Sequence, residues 1–141
     1  MDSRGQVSVE YLLILLVILI VLGSVTIPLI GSSIEASTDV STVSDAKAAV
    51  DSIANAANVV YSNGPESKRT LDVYIPQNTN LVTSGNTVGM NITYSDGTKF
   101  VNSTTYYALN NQTTALNSQW YRVTVTWPQG TNSIRITLNP L

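Results

Sequence analysis

Residues 5–31 read GQVSVEYLLILLVILIVLGSVTIPLIG, and the apolar run inside them decides the fold. Every residue from Tyr11 to Leu22 is apolar or aromatic, whereas charged residues make up only 11% of the whole chain. Tyr11 to Ile30 is about 20 residues, or about 30 Å as an α-helix, which matches the hydrocarbon core of a bilayer. The last third of the run is weaker, because Gly23, Ser24, Thr26 and Pro28 interrupt it. Pro28 removes a helical hydrogen bond and Gly23 lowers helix propensity, so the sequence predicts a kink or local melting there. Upstream lies a short charged leader, Met1 to Gly5, with Asp2 and Arg4.

A secretory signal places small residues after its apolar run, where a peptidase cuts and the run is discarded. Here Gly5 and the charges come before the run, and only Gly31-Ser32-Ser33, a poor substitute for such a site, follows it. Gln6, Ser8 and Glu10 alternate immediately ahead of Tyr11. This arrangement resembles the archaeal class III signal peptide of type IV pilin-like precursors, whose pattern is Gln-x-Ser-x-Glu before a hydrophobic stretch. The likeness covers about 25 residues and says nothing of the rest of the chain. It implies that a prepilin-type peptidase cuts between Gly5 and Gln6, that the apolar helix is kept, and that Glu10 becomes the fifth residue of the mature chain. Archaellins share the layout but carry a different pattern around the cut, so Gln6 points to the pilin branch. The resemblance further implies self-association into a helical homopolymer, a membrane-embedded precursor, an assembly ATPase and a platform protein.

The chemistry of Glu10 is compatible with that reading. An acidic residue at mid-span costs about 2.5–3.5 kcal/mol on insertion scales, and less near an interface, where Glu10 would lie. When apolar helices bundle, Glu10 becomes more deeply buried and needs a cation. Cleavage creates one, the α-amino group of Gln6, with a reference pKa of about 7.7–8.0. By the resemblance, Glu10 engages the amine of a neighbouring subunit, setting axial register while the apolar run supplies most of the burial energy. Two local readings stand beside it. An acid in the first helical turn suits the helix dipole in any protein, and residues 6 and 10 are i and i+4, so the amine can be neutralised within one chain. Cyclisation of an N-terminal Gln would remove the positive charge altogether.

From Ile34 to Tyr61 the pattern becomes amphipathic. Ile34, Val40, Val43, Lys47, Val50, Ala54, Ala57 and Tyr61 fall mostly at three- and four-residue steps, with Ile53 and Val60 beside the stripe. Asn63-Gly64-Pro65 ends the helix, which would be about 80 Å long if unbroken from Ser8 to Tyr61, half of it beyond the membrane. After Pro65 the period is two. Leu71, Val73 and Ile75 alternate with polar or half-polar residues, as do Met90, Ile92 and Tyr94, then Tyr121, Val123, Val125 and Trp127, then Ile134, Ile136 and Leu138. Asp96-Gly97 marks a hairpin between the Met90 strand and Thr98–Val101, and Pro128 to Asn132 joins the last two strands. The expected fold class is α+β, a long N-terminal helix followed by a small antiparallel β-sheet head, with the amphipathic half of the helix covering the sheet's dry face. The expected organisation is a leader over 1–5, a hydrophobic helix over 6–31, an amphipathic helix half over 32–62 and a β-rich head over 66–141.

Composition closes several doors. The formal net charge is −2, with 7 basic and 9 acidic residues, so there is no electrostatic footprint for nucleic acid. The chain contains no His and no Cys, which removes disulfides, zinc sites of those ligands and every His- or Cys-dependent catalytic arrangement. No nucleophile–base pair or phosphate loop is visible, so an enzyme is not expected, and no cofactor or metal is called for. Asp72 and Asp96 lack the D-x-[DN]-x-[DN]-G loop of a calcium site. Asn91, Asn102 and Asn111 each open an N-glycosylation sequon, although composition alone yields roughly three such triplets. Tyr106-Tyr107, Trp120-Tyr121 and Trp127 offer a sugar-binding platform, or, at strand spacing, ordinary core and edge packing, which is the preferred reading.

The expectation drawn from all this is a structural subunit of an archaeal type IV pilus-like filament, membrane-bound as a precursor and surface-exposed after assembly, serving adhesion. The rivals are a minor pilin or archaellin-like subunit, and a single-pass surface adhesin or binding module that keeps its leader.

Overall fold

The computed structural model describes the backbone of residues 3–141 and the side chains of residues 8–141. Met1 and Asp2 of the expected leader lie outside the described residues. Helix α1 (Ser3–Asn63) is followed by seven strands: β1 (Lys68–Tyr74), β2 (Thr79–Ser84), β3 (Thr87–Tyr94), β4 (Gly97–Thr104), β5 (Gln112–Leu116), β6 (Trp120–Thr126) and β7 (Arg135–Pro140). By contacts the chain divides into two units, the first ending at Thr38 and the second spanning Asp39–Leu141.

In the first unit α1 runs through Gly23 and Pro28 without interruption, so the local melting expected there does not occur. Pro28 cannot donate to the Ser24 carbonyl, but the surrounding hydroxyls stay within the helical pattern by folding back on carbonyls one turn earlier. Ser24 Oγ donates to the Ile20 carbonyl at 2.7 Å, and Ser33 Oγ to that of Leu29 at 2.9 Å.

In the second unit the strands form two antiparallel sheets, ordered β1-β6-β7 and β4-β3-β2-β5, in place of the one sheet expected. Alternation shows which residues of a strand face inward but not which strand is its neighbour. Thus β1 skips four strands to pair with β6, Val73 opposite Tyr121, while β5 returns to pair with β2, Leu81 opposite Thr114. The sheets adjoin at β5 and β7, where Gln112 Nε2 donates to the Ile136 carbonyl at 2.7 Å. The β3–β4 turn also sits one residue earlier than its Asp-Gly signal, because Tyr94 pairs with Gly97 and leaves Ser95 and Asp96 as the loop.

One core unites both sheets and the helix. Ala46, Ala49, Val50, Ile53, Ala54, Ala56, Ala57 and Val60 of α1 pack on Val73, Leu81, Val88, Met90, Ile92, Val123, Val125 and Ile136, among others. The expected stripe is therefore rotated. Val50, Ala54 and Ala57 are buried, but Ile34 and Val40 are exposed and Ile53 and Val60 lie at the centre of the contact. The buried face combines Ala46, Ala49, Ala54, Ala56 and Ala57 with Val50, Ile53 and Val60. Gly64, in the left-handed region at φ 87°, closes the helix as the sequence predicts, and Ser67 Oγ caps the Val60 carbonyl at 2.7 Å.

Candidate functional site

An apolar helix can be hidden on one face or on all. From Tyr11 to Leu22 each side chain is 50–70% exposed, so no face of this segment is covered within the chain. An 18-residue window of α1 has a mean hydropathy of 3.0 and none of it is buried. A helix that is apolar all round belongs in a membrane or in the interior of an assembly. Each Leu, Ile or Val moved out of water there contributes about 1.5–3 kcal/mol.

Glu10 stands at the polar end of this segment, exposed and inside α1. Because α1 begins at Ser3, Glu10 lies beyond its first turn in the untrimmed chain, so the dipole reading of this residue does not apply to the precursor. Removal of residues 1–5 would bring Glu10 into the first turn. Gly5 and Gln6 fall within the α1 backbone, and their side chains lie outside the described residues.

The remaining residues singled out from the sequence separate. Asn91 on β3, Asn102 on β4 and Asn111 just before β5 are all exposed. Asn102 lies inside β4, and Asn111 Oδ1 accepts the Gly85 N–H at 2.9 Å. Tyr107 and Trp127 stack with Tyr61 of α1, at centroid distances of 5.1 and 5.7 Å, and Tyr121 is buried with its hydroxyl accepting the Asn117 N–H. These three residues pack, as preferred. Tyr106 and Trp120 remain exposed. Asp72 is held by Arg122 through two hydrogen bonds of 2.9 and 3.0 Å, and the guanidinium keeps its carboxyl below the usual carboxylate range.

A groove of about 340 Å³ went unseen in the sequence. It runs between α1 and β1, walled by Asp45 and Ser52 on one side and Asp72, Tyr74 and Trp120 on the other. Alternation does place Tyr74 on the wet face of β1, but only the β1–β6 register sets it opposite Trp120.

Residues 3–29 match the family model of the class III signal peptide. The match covers the apolar run and the residues ahead of it, about a fifth of the chain. No curated protein and no solved structure matches the chain. A class III signal peptide marks a pilin- or archaellin-type precursor that a peptidase processes. With one long N-terminal helix and two small antiparallel sheets, the architecture is that of a type IV pilin-like protein.

Proposed function

We propose that this chain is a structural subunit of an archaeal type IV pilus-like surface filament that serves attachment. A prepilin-type peptidase cuts between Gly5 and Gln6, and a dedicated ATPase and platform protein then move the trimmed subunit from membrane to filament. The observation that carries this reading is the helix from Tyr11 to Leu22, apolar and bare on every face directly after a class III signal motif. In the membrane lipid covers that surface, and in the filament the same helix of neighbouring copies does. The α-amino group exposed by the cut pairs with Glu10 of a neighbour, and the β-rich head forms the outer surface. Glycans at Asn91, Asn102 or Asn111 would sit on that surface.

The test is the N-terminal sequence, by mass spectrometry, of the protein recovered from sheared cell-surface material. A chain beginning at Gln6, or its cyclised form, is the expected result. A chain beginning at Met1 and confined to membranes would overturn the filament reading in favour of an anchored binding module.

A further inference from the structure

The outward face of the β1-β6-β7 sheet has two unlike ends. At the start of β1, Lys68 and Arg135 flank Thr126 in one cross-strand row. Both cations are exposed, and among the described residues the ion pairs are Lys47–Asp51 and Arg122–Asp72, so neither is paired. The carboxylate nearest them in sequence is Glu66.

Six residues further along β1, about 20 Å away, Tyr74 and Trp120 face each other. Their ring centroids lie 5.6 Å apart at 47°, and Trp120 is 54% exposed. Beside them opens the groove walled by Asp45, Ser52 and Asp72. Arg122 neutralises Asp72, which leaves Asp45 uncompensated and the groove net acidic. Electron-rich ring faces next to a free carboxylate form a seat for a cation, since the ring quadrupoles and the full charge attract it together.

The chain carries such cations at the other end of the same sheet. A contact between two different patches on opposite ends of a subunit is heterologous. Unless its rotation closes, it builds an open chain of copies instead of a closed dimer. We propose that the Lys68–Arg135 end of one copy seats in the Asp45–Trp120 groove of the next, joining successive heads along the filament. This inference rests on the filament reading and adds a second contact to the one made by the apolar helices.

The experiment compares sheared filament yield for full-length variants in a host that assembles the wild-type chain. The variants are Lys68→Glu with Arg135→Glu, Asp45→Lys, all three together, and Leu15→Asp. The amount of trimmed, protease-resistant subunit in the membrane controls for folding, which these exposed sites should leave intact. Reversal at either end should lower yield about tenfold, and the triple variant should recover to within about twofold of wild type. Wild-type yield from either single-end variant would overturn the contact, as would a triple variant that stays low. Leu15→Asp separates the two claims. If it alone loses filaments, the filament reading stands and the head contact is wrong; if it assembles normally, the apolar run is not the filament's core and no longer carries the filament reading.

Discussion

Lys47 Nζ donates to the main-chain carbonyl of Asn102 at 2.9 Å while pairing with Asp51 Oδ1 at 2.6 Å. The helix thereby covers an acceptor on β4, an edge strand whose unpaired carbonyls would otherwise be open to another chain. The Asp51 carboxyl is drawn into the same arrangement, in contact with Ser103 as well as Lys47.

Replacing this cation should loosen the joint between α1 and β4. Lys47→Ala is expected to cost about 0.5–1.5 kcal/mol, the usual net value of such a hydrogen bond. The thermal midpoint of the full chain in detergent would report it, and Lys47→Met should behave like Lys47→Ala because the stem alone cannot donate. An unchanged midpoint in both would remove the structural role.

The same pair sets a pH dependence. The hydrogen bond from Lys47 holds the Asp51 carboxyl below its ordinary value, against the opposing effect of burial, with Ser103 and the Lys47 charge adding to it. A depressed folded-state pKa contributes stability above the unfolded value of about 3.9, and that stability is lost as pH falls through the folded value. The stability gap between wild type and Asp51→Asn should therefore be level near neutrality and narrow below about pH 4. A gap that widens on acidification would contradict this.

Gly89 on β3 lies hard against β4. A Cβ there would meet Phe100 Cζ at 2.5 Å and the Val101 carbonyl oxygen at 2.8 Å. The ring can swing aside but the carbonyl is main chain, so Gly89→Ala should destabilise by about 1–3 kcal/mol through overpacking. Adding Phe100→Ala should relieve only part of that loss. Full recovery in the double variant, read by denaturant midpoint, would show that the ring was the sole obstacle.

Glu10→Ala addresses assembly. The residue sits beside the apolar run and away from the Gly5–Gln6 bond, so trimming should proceed at the wild-type level while filament yield falls several-fold, about what loss of a charge-assisted contact brings. Undiminished filaments would remove Glu10 from the assembly mechanism, and a block in trimming would move it to peptidase recognition.

The strands that the sequence reveals and those it conceals differ for a physical reason. β1, β3, β6 and β7 alternate large apolar with polar residues, and their inward sides are the buried ones. β2 escapes notice because one of its two buried side chains is Thr83, whose hydroxyl donates to the Asn110 carbonyl at 2.6 Å. A polar residue satisfied in this way can take a core position, and alternation then disappears from the hydropathy pattern. β5 is short and buries only Leu116, too little to read as a period.

The amino-acid order by itself determined the long apolar helix, its end at Gly64 and the alternating strands, because each depends on neighbours a few residues apart. It also determined the signal motif around Gln6, Ser8 and Glu10, which is a matter of spacing alone. Tertiary structure decided what depends on distant partners: the division into two sheets, the helix face that is buried, the hold of Lys47 on Asn102 and the pairing of Tyr74 with Trp120. Lys47 and Asn102 alone lie 55 positions apart, and local propensity carries no information about which distant strand or helix will supply the partner.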